Sequence, residues 1–225
     1  MSIERAPSAR AGKARLDRET ILAAALELAA TPGVSAISFR ELGARLGVDP
    51  TAVYRHFRSK DELMKALLDH ITAVGLAEIE VPAEDWRGRL RELAMMTLRQ
   101  FGRYPAIGVE AVVLTTNGPG EHTAIEMTLD AFARAGLEGD DLVRHYALLA
   151  GHVLSTSANI ARARAERGGE WDGMWLGEAI LADPREFPLI AAHSALLAEV
   201  RDEETYLAGV DMILDSAERT AAARG

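Results

Sequence analysis

The stretch from Ile37 to Leu63, ISFRELGARLGVDPTAVYRHFRSKDEL, decides the fold. Ser38 and Glu41 form an S-x-x-E pair, in which hydroxyl and carboxylate each satisfy an orphan amide at the start of a helix. Ile37 and Leu42 flank that start at the positions of a hydrophobic staple. The helix ends at Leu46, where Gly47 can take the left-handed backbone a tight turn needs. A second helix opens at once. Asp49 is a strong N-cap, Pro50 suits the first helical position, and Val48 with Val53 repeats the staple. This helix is short and ends near His56 or Phe57. Ser59 and Glu62 then form another S-x-x-E pair, opening a helix to about residue 79 with a stripe of Leu63, Leu67, Ile71 and Val74. Two short helices across a glycine turn make a helix-turn-helix.

The preceding segment completes the unit. Ile21, Leu22, Ala25, Leu28 and Ala29 recur at helical spacing over 17–30, and Thr31-Pro32-Gly33 stops that helix. Leu42, Leu46, Val48, Val53 and Phe57 are expected to pack on Leu22, Leu26, Ala29 and Leu63. Such a small core leaves the other face of the second short helix in solvent. That face carries Thr51, Tyr54, Arg55 and His56, near Arg40, Arg58 and Lys60. Arginine pairs bidentately with guanine in the major groove, and a threonine methyl fits against thymine. Tyrosine, lysine and helix N-termini hold phosphates. The alternatives are a Tyr54 that caps the core, a packed His56, and an ordinary surface lysine at 60.

Composition agrees. The net charge is −9, yet residues 1–65 hold 11 basic against 8 acidic side chains, leaving 14 against 26 for the remainder. A basic head on an acidic body turns one face toward phosphate. There are no cysteines, which excludes disulfides, thiolate metal sites and thiol nucleophiles and fits a cytoplasmic location. No apolar run is long enough to span a membrane, and the charged opening residues do not read as a secretory signal.

On these residues the chain resembles the TetR family of bacterial repressors. The resemblance rests on Leu46-Gly47-Val48, on T-x-x-Y-x-H-F (Thr51, Tyr54, His56, Phe57) and on Lys60 at the next helix. It covers about residues 17–75. It implies that Arg40 contacts bases or phosphate and that Pro50, Thr51 and Ala52 start the recognition helix against base edges. It further implies that Tyr54, Arg55 and His56 touch backbone or bases and that Lys60 holds a phosphate. Arg55 stands where relatives often have an aromatic or small residue, so it is a candidate for operator preference. Phe39 replaces a small polar residue and is expected to pack inward.

The expected organisation is a basic tail over 1–15 (Arg5, Arg10, Lys13, Arg15), a DNA-binding domain over 16–60, and a helical ligand-binding and dimerisation domain over 61–225. The fold class is all-α. Further helices are expected near 84–102, 106–115, 121–135, 140–166, 172–182, 186–200 and 203–222, broken by Tyr104-Pro105, Asn117-Gly118-Pro119-Gly120, Gly136, Gly168-Gly169, Pro184 and Pro188. Phe101, His122, Met127, His152 and Trp175 are the candidate ligand contacts, with core packing as the alternative. His145 and His152 share a helix face about 10.5 Å apart along the axis, too far for one metal ion. No catalytic motif is present, so neither an enzyme nor a cofactor is expected. The resemblance implies a homodimer on a pseudo-palindromic operator, released by a small-molecule effector. The dimer stripes would be Leu142, Tyr146, Leu149, Val153 and Ile160 on one helix and Tyr206, Leu207, Val210, Ile213, Leu214 and Ala217 on another. The alternative is that either stripe packs within its own monomer. A ligand-independent co-regulator and, less favoured, a helical enzyme or binding protein are the other functions considered.

Overall fold

The computed structural model describes residues 16–31, 33–34, 36–167, 173–174, 176 and 178–224. The basic tail therefore lies outside the described residues. The elements in order are α1 (Arg18–Ala29), α2 (Phe39–Leu46), α3 (Pro50–Tyr54), α4 (Lys60–Ala77), α5 (Trp86–Arg103), α6 (Pro105–Gly108), α7 (Pro119–Arg134), α8 (Gly139–Arg167), α9 (Pro188–Ala198) and α10 (Asp202–Ala222). Among the described residues there is no strand, only an isolated bridge between Met174 and Arg201.

Local chemistry sets the first four helices. Asp17 caps α1 through Thr20 N–H at 2.8 Å. Ser38 and Glu41 close a complete capping box on α2, and Gly47 ends it at φ 64°, a left-handed backbone that suits glycine. Asp49 accepts from the N–H and hydroxyl of Thr51, and these bonds hold its carboxyl below the usual range. Ser59 caps α4 through Glu62 N–H, but the reciprocal bond is diverted: the Glu62 carboxylate accepts from Arg58 N–H and from Arg18. The turn between α2 and α3 is tight. A Cβ on Gly43 would stand 2.9 Å from the Val48 carbonyl oxygen and 3.1 Å from Pro50 N.

Two apolar clusters follow. The first joins α1–α3 to the N-terminal part of α4 through Ile21, Ala25, Leu42, Val53, Phe57 and Leu63, with Leu22, Leu26, Leu46 and Val48 partly buried against it. It continues into Phe101, Ile107 and Ala161, so the head sits directly on α5, α6 and the far end of α8. The second packs α5, α7, α8 and α10 around Leu90, Phe132, Leu149, Val153, Tyr206 and Val210. Arg87 pairs with Asp215 at 2.6 Å and Glu218 at 3.0 Å, and Arg91 with Asp211, tying α5 to α10 along their exposed edge.

Three expectations change. No helix covers 172–182: its described residues are irregular, and Met174 bridges Arg201 instead. The helix expected over 106–115 stops at Gly108 and passes into turns through Val109, Val112 and Val113, β-branched residues that resist helix formation. The stripes assigned to dimerisation lie largely inside the monomer: Leu149, Val153, Ile160, Tyr206, Val210, Leu214 and Ala217 are all buried in the second cluster. The exposed apolar side chains of α8 and α10 are instead Val143, Leu148 and Met212.

Candidate functional site

The head presents a mostly exposed surface on α3. Val53 and Phe57 point into the core with no solvent exposure, which turns Thr51, Tyr54 and Arg55 outward. Arg40 and Lys60 are exposed, while Pro50, Ala52 and His56 are half-buried. Phe39 is buried and meets the Tyr54 ring edge-on, with centroids 4.4 Å apart. That contact fixes the ring of Tyr54 while leaving it 54% exposed, so the residue serves both packing and surface. The Thr51 hydroxyl is engaged by Asp49, and its methyl is the group left for apolar contact. Lys60 pairs with Glu110 at 3.6 Å, in the segment that follows α6.

The sequence reading missed Arg18. From α1 its guanidinium donates to the carbonyl oxygen of His56 at 2.6 Å and to Glu62 at 2.9 Å, and it lies 4.1 Å over the Phe57 ring. It thus secures the C-terminal end of α3 and the start of α4 together. The bond from Arg18 and then that from Arg58 N–H hold the Glu62 carboxyl below its usual range. Arg18→Ala is expected to lower the melting temperature of the head modestly, since the pair is largely solvent-screened. Arg18→Lys should recover little, because an ammonium cannot bond carbonyl and carboxylate while covering a ring. Thermal melting of the two variants checks this.

A cavity of about 140 Å3 lies behind the head. Leu68, Ile71 and Thr72 of α4 form one wall, and α5, α7, α8 and the loop after α6 close the rest. Of the candidate ligand contacts, Phe101 lines it. His122 is exposed, Met127 packs on the second cluster, and neither lines this cavity. His152 does not reach it either: it stacks on Tyr206 with centroids 5.5 Å apart, and its Nε2 meets the Tyr206 carbonyl at 2.9 Å. Gly209 makes room for that ring. His145 is a core residue whose Nδ1 meets the Asp141 carbonyl at 2.8 Å. Trp175 lies outside the described residues. No His, Asp or Glu cluster suited to a metal ion occurs among the described residues.

One helix belongs to both regions. α4 carries Leu63 and Leu67 in the head core, and its next turn lines the cavity. Midway, the Asp69 carboxylate accepts from Glu121 N–H at 3.0 Å and from the Thr116 hydroxyl at 3.1 Å, capping α7 from α4. The two helices touch so closely that a Cβ on Gly120 would stand 2.3 Å from the Asp69 carbonyl oxygen. α4 thus touches both the head core and the cavity wall.

Residues 21–67 match the model of the bacterial regulatory proteins of the tetR family, and residues 80–220 match the tetracyclin repressor-like C-terminal domain. The tetracycline repressor protein class D of Escherichia coli is 32% identical over 156 residues, covering 66% of this chain and 70% of that protein. An HTH-type transcriptional repressor of Mycobacterium tuberculosis is 26% identical over 213 residues, covering 91% of this chain and 81% of that one. Apo ActR from Streptomyces coelicolor shares the fold at a TM-score of 0.76, with 21% identity and coverage of 94% of this chain and 99% of that one. The chain belongs to the TetR family of bacterial transcriptional regulators.

Proposed function

We propose that the protein is a dimeric repressor that reads a pseudo-palindromic operator and leaves it when a small molecule fills the cavity. The observation that carries this reading is α4, one rigid helix with its first turns in the head and its middle in the cavity wall. A wall that prefers a different α4 position when occupied biases the head between two placements. The ligand's differential affinity for the two sets the size of the effect. The matched relatives named as repressors support the same direction of control.

In this reading Arg55 and the methyl of Thr51 meet base edges, and Pro50 and Ala52 bring the start of α3 to the groove floor. Arg40, Tyr54, His56 and Lys60 hold phosphates on either side. Lys60 exchanges Glu110 for phosphate on binding. The domains divide at the start of α4, residues 16–60 reading DNA and 61–225 sensing and dimerising. The dimer interface uses the outer faces of α8 and α10, with Val143, Leu148 and Met212. It also uses α9, a strongly apolar helix with no buried residue in the monomer. Exposed apolar surface of that extent calls for a partner, and a two-fold pair matches a two-fold site.

Fluorescence anisotropy of a labelled random-sequence duplex, titrated at stepwise salt, tests the DNA-binding half. Log affinity should fall linearly with log salt, because lysine and arginine release counterions from phosphate. Binding that ignores salt, or none at low salt, contradicts the reading.

A further inference from the structure

The geometry points to a protonated amine on a compact apolar body as the class of ligand this cavity takes. This rests on the reading of the cavity as an effector site. Most of the wall is aliphatic or aromatic, and the polar groups that interrupt it are mainly acceptors. The hydroxyls of Thr72, Thr97 and Thr128 spend their protons on carbonyls of their own helices, Leu68 at 2.8 Å, Leu93 at 2.9 Å and Ala124 at 2.8 Å. They offer only lone pairs to an occupant. Glu121 adds a carboxylate. Its Oε2 accepts from Asn117 N–H at 2.6 Å, and it forms no ion pair among the described residues.

Among the described residues, no lysine, arginine or histidine lines the cavity to balance that charge. Tyr146 registers it: burial first, and then the Glu121 charge, push its hydroxyl above the usual tyrosine range. Gln100 adds a free polar group to the wall. It lines the cavity, is only 8% exposed, and its side-chain amide makes no hydrogen bond among the described residues. An amide at the cavity wall can donate to or accept from an occupant. The volume suits an apolar body of about one ring, since an engineered apolar cavity of ~150 Å3 in another protein admits benzene. An ammonium on that body supplies donors to the surrounding acceptors and neutralises Glu121. A neutral isostere brings no cation to Glu121, whose bonds among the described residues come only from Asn117 N–H and the Thr116 hydroxyl, and an anion is repelled by it.

Three probes of one shape separate these cases: phenethylammonium, 2-phenylethanol and phenylacetate, titrated calorimetrically into the full chain at neutral pH. The amine should bind at least about tenfold more tightly than the alcohol, a difference of ~1.4 kcal/mol, and phenylacetate should not bind. Glu121→Gln keeps an acceptor for Asn117 N–H and removes the charge, and should bring the amine to the alcohol's affinity. Alcohol binding as tight as amine binding, or phenylacetate binding best, overturns the charge assignment and leaves the cavity an effector site. Binding of none of the three at millimolar concentration overturns the assignment too. The effector reading is then decided separately, by whether any small molecule displaces the protein from its operator.

Discussion

Phe57→Ala is expected to abolish operator binding while leaving most of the helical signal intact. Phe57 has no solvent exposure, and its ring lies between the head core and the Arg18 guanidinium. Truncating a buried phenylalanine costs about 3–5 kcal/mol through lost transfer energy and the cavity left behind. The head is a small set of helices with few buried side chains, so a loss of that size is comparable to what holds it. The second cluster shares no residue with the position and should persist. The expected result is a separate low-temperature unfolding step and no operator complex. Wild-type operator affinity in Phe57→Ala would mean that the head does not depend on this core.

Arg55→Ala should weaken operator binding by about 1–3 kcal/mol, on the order of 5- to 150-fold, and relax base preference at one position in each half-site. Arg55 is exposed and caps the C-terminal end of α3, and no hydrogen bond or ion pair of its side chain occurs among the described residues. Its removal should therefore leave the melting temperature unchanged. Lys60→Ala differs in kind: a phosphate contact carries no sequence information, so affinity should fall evenly across sequences and the salt slope should flatten by about one. Competition selection with each variant separates the two roles. An Arg55→Ala protein with wild-type preference would remove Arg55 from the base-reading set.

The head was legible in the sequence because its signals are local. Ser38 with Glu41, Gly47, and Asp49 with Pro50 each act within a few residues, and the structure forms those caps as their spacing predicts. The second S-x-x-E pair was only half right, because Arg18 lies distant in sequence and takes the Glu62 carboxylate. The cavity was far less legible. Its wall draws on α4, α5, α7, α8 and the loop after α6, and Gln100 and Glu121 have no meaning until those helices meet. His152, a candidate ligand contact by sequence, meets a backbone carbonyl of α10 instead, a partner too distant in sequence to be read from local pattern. The stripes on α8 and α10 show a related limit. Apolar periodicity tells that a face is buried, but not whether its own chain or a second copy covers it.

Selection of the purified protein against a library of random duplexes at two salt concentrations tests the central claim most directly. A dimeric operator-reading protein should enrich a pseudo-palindrome whose half-sites lie about one helical turn apart, ~34–36 Å, with recovery falling steeply at the higher salt. Recovery of no sequence above background would contradict that claim.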